Sequence, residues 1–313
     1  MEKRRLGKSG LEVTLVGLGC NNFGGRIDFE QTKLVVNKSL DLGINLFDTA
    51  DVYSKGTSEE FLGRVLGDHR KEVVIATKFA KPMDDSGRLR GTSRRYIMSA
   101  VEASLRRLNT DWIDLYQMHE SDPATPIEET LRALDDLVRH GKVRYIGCSN
   151  FPAWQVVEAQ LTVGRIGAVP FISFQDEYSI VERSIERELI PAGKAYGMGL
   201  LPYYPLASGL LTGKYKRNEP LPAGTRIANT KSYVDRFLTD KNWAVVEGLE
   251  ALAAKSGRTM LELAFSWLAG RPTVSSIIAG ATKPEQVEQN AKAVSRPLAP
   301  EESAEVDRIT TAV

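Results

Sequence analysis

Four polar side chains in this sequence follow apolar stretches at spacings that suit proton chemistry on a substrate oxygen. In "NLFDTADVYS" (residues 45–54), an apolar pair runs into Asp48 and Tyr53 follows five residues later. The stretch "VVIATK" ends in Lys78 and "DLYQMH" ends in His119. If these stretches are neighbouring parallel strands of a barrel, their carboxyl ends bring the four side chains within reach of one another.

The four residue types form a chemically coherent set. A free phenol has a pKa of about 10, and a buried ammonium beside it would lower that pKa and make Tyr53 a usable general acid. Lys78 can supply the ammonium, and a buried lysine needs a counter-ion, which Asp48 can provide. His119 can hydrogen-bond a substrate oxygen. This set predicts reduction of a carbonyl group, with hydride supplied by a cofactor because no side chain can provide it.

Each of these residues also has an ordinary structural interpretation. An aspartate at a strand end often caps a turn, a lysine after a strand is often solvated, and a single histidine is often structural. Chance seldom places all of them at matching ends of three successive strands. The joint pattern therefore favours a reaction site.

The elements that must position these residues alternate along the chain. Near-continuous apolar stretches are typical of parallel strands covered on both faces, and eight are found: 15–19, 44–48, 72–78, 112–119, 144–150, 171–179, 199–204 and 275–280. Helical patterns lie between or after them, at 28–42, 58–67, 93–108, 126–140, 152–160, 184–196, 241–270 with a break, and 283–294.

Eight strands, each followed by a helix, predict an α/β fold, a (β/α)₈ TIM barrel, as one domain over residues 1–313. The alternative is a doubly wound sheet, whose dinucleotide-binding form shows GxGxxG after the first strand. Here "GLGCNNFGG" supplies Gly17 and Gly19, but the third glycine is misplaced and no helix follows directly. We therefore favour the barrel.

Additional segments flank the barrel pattern. We expect an N-terminal β-hairpin with Ser9–Gly10 as its turn, closing the barrel floor, and a C-terminal helix over 300–311. The stretch 205–240 is predicted as a long loop, and loops of that length are usually functional.

The helix pattern at 126–140 carries start and stop signals. Thr125 and Glu128 have the spacing of a capping box, with Pro126 at the first helical position. Gly141 is predicted to end the helix.

Composition excludes several classes of protein. The 313 residues are 42% hydrophobic and 26% charged, with a net charge of +1, so there is no one-sided basic field for nucleic acid or a membrane surface. Two distant cysteines, Cys20 and Cys148, suggest neither a disulfide framework nor a metal site. No apolar segment suits a signal peptide or a membrane span, so we expect a cytoplasmic protein; nothing in the sequence indicates its oligomeric state.

With these residues in place, the sequence resembles the aldo-keto reductase family over nearly its full length. "FDTADVYSKGTSEEFLGRVL" (47–66) resembles the most diagnostic segment of the family, and "GCSNF" and "YYPLASGLLTGKY" match two more in order. The resemblance implies a (β/α)₈ barrel that binds a nicotinamide dinucleotide without a Rossmann motif. It also implies that Tyr53 is the general acid, that Lys78 and Asp48 tune it, and that His119 orients the substrate.

The resemblance further implies a set of cofactor-binding residues. Ser149, Asn150 and Gln175 would hold the nicotinamide carboxamide, Tyr203 would stack on its ring, and "YYPLASGLLTGKY" would contact the pyrophosphate. The last helix would begin at the adenosine phosphate. The complete expected set is Gly19, Cys20, Asn21, Asp48, Ser149, Asn150, Gln175, Tyr203, Tyr204, Leu206, Ser208, Gly209, Lys214, Arg226, Gly280, Thr282, Lys283, Gln286, Gln289 and Asn290.

Two departures from relatives bear on specificity. Gly280, Ala281 and Gln286 stand where some branches have a clear 2′-phosphate clamp, but Lys283 can still pair with that phosphate, so NADPH is favoured and NADH remains an alternative. Asn21 and Asn22 stand where many relatives have a bulky aromatic residue, which suggests a hydroxylated or sugar-like substrate.

The sequence therefore predicts an NADPH-dependent reductase that converts an aldehyde or ketone to an alcohol, with no metal. Two alternatives remain open. One is a cofactor-binding regulatory subunit with little turnover, since "GLLTGKY" and "GATKPEQ" also resemble the β subunits of voltage-gated potassium channels. The other is a barrel isomerase or lyase that uses Lys78 as a Schiff-base amine.

Overall fold

A computed structural model describes residues 1–311. Eight parallel strands form its centre, and two further strands form a separate N-terminal hairpin. The strands are β1 (Lys3–Arg5), β2 (Glu12–Thr14), β3 (Val16–Gly19), β4 (Leu46–Asp48), β5 (Val74–Phe79), β6 (Ile113–Met118), β7 (Val143–Ser149), β8 (Phe171–Glu177), β9 (Gly199–Tyr203) and β10 (Ile277–Gly280). The helices are α1 (Phe29–Asp41), α2 (Thr57–Leu66), α3 (Arg94–Leu108), α4 (Ile127–Arg139), α5 (Ala153–Ile166), α6 (Leu189–Ala195), α7 (Lys231–Phe237), α8 (Asp240–Ser256), α9 (Met260–Ala269), α10 (Pro284–Ala293) and α11 (Pro300–Thr311).

The barrel strands pair in the order β10-β3-β4-β5-β6-β7-β8-β9. A parallel bridge between Leu200 of β9 and Val274, just before β10, brings the two ends of the sheet together. This nearly closed ring of parallel strands with helices around it confirms the predicted (β/α)₈ barrel.

The two faces of each strand point to different parts of the core. Val74 and Ala76 of β5 belong to a cluster inside the barrel, whereas Ile75 and Phe79 belong to the larger cluster between strands and helices. Side chains alternate along a strand with a period of two, so Lys78 points into the barrel. Its position at the carboxyl end of β5 places it beneath the barrel mouth.

The N-terminal hairpin, β1 paired antiparallel with β2, closes the other end of the barrel. Leu6 and Val13 of this segment are fully buried and join the cluster inside the barrel. The predicted hairpin is confirmed, but Ser9–Gly10 alone is not its turn, because the Leu6 N–H donates to the Leu11 carbonyl and the connection spans 6–11. Packing sets this longer turn: Gly7 has φ +60°, and a Cβ there would lie 2.4 Å from the Gly197 carbonyl oxygen.

The predicted capping box of α4 is also absent among residues 1–311. Pro126 is the N-cap itself and has no side-chain cap, while the Thr125 hydroxyl donates to Asp122 at 2.9 Å. The preceding loop folds back on itself and brings Asp122 to Thr125. The Thr125 hydroxyl therefore donates to Asp122 and does not cap the Glu128 N–H. At the other end, Gly141 has φ +75°, as expected of a residue that ends a helix.

The segment predicted as a loop at 205–240 is partly helical. It contains a 3₁₀ turn at Ala207–Thr212 and the short helix α7, and α8 begins at Asp240. The pattern at 184–196 is likewise divided into a 3₁₀ turn, Ser184–Glu186, and α6. Within the described residues 1–311, no helix is long and apolar enough to cross a membrane.

Candidate active site

Asp48 and Lys78 form a buried ion pair at the barrel mouth. The Lys78 Nζ donates to Asp48 Oδ1 at 2.6 Å and to the Thr49 carbonyl at 2.9 Å. Lys78 is fully buried and Asp48 is 3% exposed. Burial alone would lower the pKa of Lys78, but the Asp48 carboxylate and Tyr53 raise it above its usual value. Lys78 is therefore held as an ammonium.

The other oxygen of Asp48 accepts two side-chain amides. Gln175 Nε2 donates to Asp48 Oδ2 at 2.8 Å and Gln117 Nε2 donates at 3.3 Å. Gln117 was not predicted from the sequence. The sequence feature that could have identified Gln117 is its position on β6, two residues before His119, because side chains two residues apart on an extended chain point to the same face of the barrel.

Tyr53 is carried by a short turn with an unusual backbone. Ser54 and Lys55, in the 3₁₀ turn that begins at Tyr53, have φ of 49° and 54°, and the Ser54 hydroxyl donates to the Phe23 carbonyl at 2.9 Å. The Lys78 Nζ lies 5.2 Å from the centre of the Tyr53 ring. This turn holds the phenol beside the ion pair.

The expected lowering of the pKa of Tyr53 was wrong for this structure. Burial raises the pKa of the phenol, and the lowering effect of Lys78 is smaller than that of burial. Tyr53 is half-buried in the cavity wall, and there the charged phenolate loses more solvation than one ammonium, already paired with Asp48, returns. Tyr53 consequently keeps its proton at neutral pH.

His119 lies against Tyr53 at the end of β6. The two ring centres are 5.7 Å apart in an edge-on arrangement, and His119 is 6% exposed. Burial, followed by repulsion from Lys78 and Lys81, lowers the pKa of His119 to about 2. Its Nδ1 has no hydrogen-bond partner among residues 1–311, so a neutral imidazole faces the site.

A hydrogen-bonded chain connects His119 to the residues expected at the nicotinamide. Asn150 Nδ2 donates to the His119 carbonyl at 2.9 Å and to the Ser149 hydroxyl at 3.0 Å. The Tyr203 hydroxyl donates to Asn150 Oδ1 at 2.7 Å. Asn150 has φ +56°, a conformation that Asn tolerates better than most residues, and these hydrogen bonds hold its side chain in place.

One cavity of about 1070 Å³ extends from these residues across the barrel mouth. Except for Lys78, which is buried behind Asp48, the predicted catalytic and cofactor residues all line it: Gly19, Cys20, Asn21, Asp48, Tyr53, His119, Ser149, Asn150, Gln175, Tyr203, Tyr204, Leu206, Ser208, Gly209, Lys214, Arg226, Gly280, Thr282, Lys283, Gln286, Gln289 and Asn290.

The 3₁₀ turn after β9 forms a polar section of the wall. Ser208 and Gly209 have φ of 57° and 98°, and the Ser208 hydroxyl is buried without a partner in the part of the chain that is described. Lys214 Nζ lies over Gly209, 2.7 Å from where a Cβ would stand. A hydroxyl without a partner, together with an adjacent ammonium, suits an anionic ligand such as a diphosphate.

Arg226 lies close to this section. Its guanidinium stacks over the rings of Tyr204 and Tyr233, at 5.0 Å and 5.8 Å from their centres. The hydroxyl oxygens of these two tyrosines are 3.0 Å apart. The stacking fixes the guanidinium at the cavity wall.

The far end of the cavity is formed by the start of α10. Lys283 is the N-cap and Pro284 opens the helix, while Gln286 accepts from the Thr282 N–H at 2.7 Å. Lys283 is exposed and makes no ion pair within residues 1–311. A helix N-terminus with a free cation is suited to a phosphate group.

Several lining residues were not predicted from the sequence. Arg26 and Lys81 come from loops after β3 and β5, Glu177 and Arg236 form an ion pair across the mouth, and Thr259 contributes from the cap of α9. Arg26 and Lys81 lie in loops, whereas Glu177 ends β8 and Arg236 lies in α7. Sequence pattern alone does not place these segments relative to the cavity.

Comparison with known proteins assigns the chain to a family. The family model described as "Aldo/keto reductase family" matches residues 15–311. The chain is 38% identical over 305 residues to a probable voltage-gated potassium channel subunit beta of Oryza sativa subsp. japonica, covering 94% of this chain and 91% of that protein.

Two further relatives are named as reductases. A versiconal hemiacetal acetate reductase of Aspergillus parasiticus is 35% identical over 328 residues, covering 96% of this chain and 95% of that protein. An L-glyceraldehyde 3-phosphate reductase of Escherichia coli (strain K12) is 31% identical over 319 residues, covering 98% and 92%. These relatives support an oxidoreductase, and members of the family generally use nicotinamide cofactors. On the match of the family model and of these relatives, the chain belongs to the aldo/keto reductase family.

Proposed function

We propose that this protein is an NADPH-dependent carbonyl reductase that converts an aldehyde or ketone to an alcohol with Tyr53 as the general acid. The observation that carries the proposal is the buried pair of Asp48 and Lys78 beside Tyr53 and His119. Three of these residues line the same cavity as the residues expected at the nicotinamide.

The side chains divide the chemistry among them. A nicotinamide dinucleotide held by these residues would supply hydride to the carbonyl carbon. Tyr53 gives its proton to the carbonyl oxygen, and Lys78, kept charged by Asp48, stabilises the phenolate that remains. His119 is neutral, because its pKa is about 2, so it orients the oxygen by hydrogen bonding and does not serve as an acid.

The raised pKa of Tyr53 is compatible with this role. The phenol holds its proton until a stronger base appears, and the oxygen becomes such a base once hydride has reached the carbon. Lys78 lowers the free energy of the phenolate at that moment. The site therefore releases its proton during reduction and not before.

Charge in the cavity supports NADPH over NADH. Lys214 and Arg226 lie at the section suited to the diphosphate, which both cofactors have, so these two cations do not distinguish them. Lys283, exposed at the start of α10, supplies an additional cation for a 2′-phosphate.

The substrate end of the cavity is polar and carries positive charge. Arg26 and Lys81 line it, and Lys81 is close enough to His119 to lower its pKa. Asn21 and Asn22 also line the cavity, but their side chains pack against Gly280. Arg26 has no ion pair within residues 1–311, and Lys81 has only Glu120 at 4.0 Å. We propose hydroxylated or anionic carbonyl compounds as substrates, and the name of the Escherichia coli relative is consistent with a phosphorylated aldehyde.

The proposal is tested by replacing Tyr53 with Phe. NADPH oxidation is measured with a panel of aldehydes, keto-sugars and phosphorylated aldehydes, with NADH in parallel, and NADPH binding is measured by fluorescence. We expect Tyr53→Phe to lower kcat by about 10²-fold or more with NADPH affinity unchanged. Tyr196→Phe, at an exposed position outside the cavity, should match the parent. If Tyr53→Phe retained most of the activity, the general-acid assignment would be wrong.

The potassium-channel relatives support a second candidate, a cofactor-binding regulatory subunit with little turnover. The same assays separate the two. NADPH binding with negligible turnover over the whole panel, combined with co-purification with a channel, would favour the regulatory subunit.

A further inference from the structure

A buried acid cluster lies directly behind Tyr53, between the barrel wall and helices α2 and α3. Asp51 and Glu59 are 1% and 0% exposed. Glu59 is fully paired, accepting from the Thr77 hydroxyl at 2.5 Å and from Arg107 Nε at 2.7 Å. Asp51 has only the Tyr96 hydroxyl, at 3.5 Å from Oδ2, and its Oδ1 has no partner among residues 1–311. Two buried carboxyl groups thus face one guanidinium.

The turn that carries Tyr53 is attached to this cluster at both ends. Asp51 lies two residues before Tyr53, and its N–H donates to the Lys78 carbonyl at 3.1 Å. At the other end, Gly56 packs so closely on Arg107 that a Cβ there would lie 2.7 Å from the Arg107 Cδ. A change of charge or position in the cluster is therefore transmitted to the phenol.

We propose that Asp51 is a positioning residue for Tyr53, which holds the Tyr53 turn in place as the neutral carboxylic acid and releases it when ionised. This inference rests on the proposed function, because it explains how the general acid is held. An ionised Asp51 would place a second anion beside Glu59 with one oxygen unsatisfied, and moving the turn toward solvent relieves that cost.

The groups that face Asp51 come from three elements. Glu59 lies on α2, Arg107 and Tyr96 lie on α3, and the Tyr116 hydroxyl on β6 is itself unpartnered within the described chain. Burial, followed by repulsion from Glu59, raises the pKa of Asp51 to about 7, and the Val52 N–H and Arg107 offset this only in part. Asp51 therefore changes charge in the neutral range.

The groups in direct contact with the reaction do not titrate there. The pKa values of Tyr53 and Lys78 are raised above their usual values, and that of His119 is about 2. Asp176, beyond Gln175 on β8, is a second carboxyl with a pKa of about 7, raised mainly by burial. It provides a matched control because it lies on β8, outside the turn that carries Tyr53.

The test compares the parent, Asp51→Asn and Asp176→Asn from pH 6 to pH 9. Asn has the shape of the neutral acid. We expect kcat/KM of the parent to fall about tenfold between pH 6 and pH 8, as for loss of one essential proton with a pKa near 7. Asp51→Asn should match the parent at pH 6 within about twofold and stay flat to pH 9, whereas Asp176→Asn should keep the decline.

A second measurement does not depend on turnover. Hydrogen-exchange protection of residues 49–57, corrected for intrinsic rates, should decrease in the parent between pH 6 and pH 8 and stay constant in Asp51→Asn. Equal protection in the parent at both pH values, or a decline in kcat/KM that persists in Asp51→Asn, would overturn the positioning role. If the exchange result holds while no substrate is reduced, the proposed function fails and the attachment of the turn to Asp51 stands.

Discussion

Replacing Asp48 with Asn would test the ion pair beneath Tyr53 most directly. Asp48 accepts three donors, from Lys78 at 2.6 Å, Gln175 at 2.8 Å and Gln117 at 3.3 Å. An asparagine amide offers one acceptor oxygen and one donor NH₂ group. Whichever way the amide turns, the NH₂ group faces at least one of the existing donors, and the negative charge is lost.

The cost in stability follows from the burial of the pair. Lys78 is fully buried and Asp48 nearly so, so solvent does not screen the remaining charge. Removing one partner of a buried ion pair typically destabilises a protein by about 3–5 kcal/mol. We expect the free energy of unfolding at pH 7, measured by urea denaturation, to fall by about that amount.

The pH dependence of this loss has a defined sign. Without Asp48, burial would hold the pKa of Lys78 below its usual value, whereas Lys78 in the unfolded chain keeps a proton to about pH 10.5. The unfolded state then binds more protons in this range, so the free energy of unfolding rises with pH. The loss should be greatest near neutral pH and should diminish toward pH 10.

The same change should alter catalysis. Without Asp48, burial lowers the pKa of Lys78, and a Lys78 that has lost its proton no longer stabilises the phenolate of Tyr53. We expect kcat/KM to fall by about 10²-fold or more and its alkaline decline to move to lower pH, as measured by NADPH oxidation from pH 6 to pH 10.

The matched control is Asp114→Asn. Asp114 forms an ion pair with Arg70 at 2.8 Å, both largely buried but outside the cavity. This variant should lose stability without shifting the pH profile of kcat/KM. The reasoning is refuted if Asp48→Asn loses less than about 1 kcal/mol and keeps the pH profile of the parent.

Two other residues carry predictions. The ring ¹⁵N shifts of His119 should stay constant from pH 4 to pH 8, because burial and the nearby lysines hold its pKa at about 2; a titration in the neutral range would contradict the neutral imidazole. Lys283→Met should weaken NADPH binding about fivefold, the equivalent of about 1 kcal/mol, and leave NADH binding unchanged. Lys292→Met, on the same cavity wall, is the control, and an equal loss for both cofactors would exclude a 2′-phosphate contact by Lys283.

Local pattern was sufficient for much of the barrel and for the composition of its mouth. Continuous apolar runs such as 72–78 identify strands covered on both faces, and the barrel fold places their carboxyl ends together. Asp48, Lys78 and His119 can therefore be grouped from the sequence alone, since each stands at or next to the end of its strand.

Interactions between distant segments decided the rest. The direction of the pKa shift of Tyr53 depends on how much protein surrounds the phenol, and the partners of Asp48 include Gln117 from a strand 69 positions away. The Thr125 hydroxyl donates to Asp122 because the loop between them folds back on itself. Asp51 reads as a turn residue in the sequence, and only the packing of α2, α3 and β6 against its turn makes it a buried carboxyl with one oxygen unsatisfied. Sequence periodicity specifies the face on which a side chain lies, but burial and Coulomb interactions depend on which other elements cover that face.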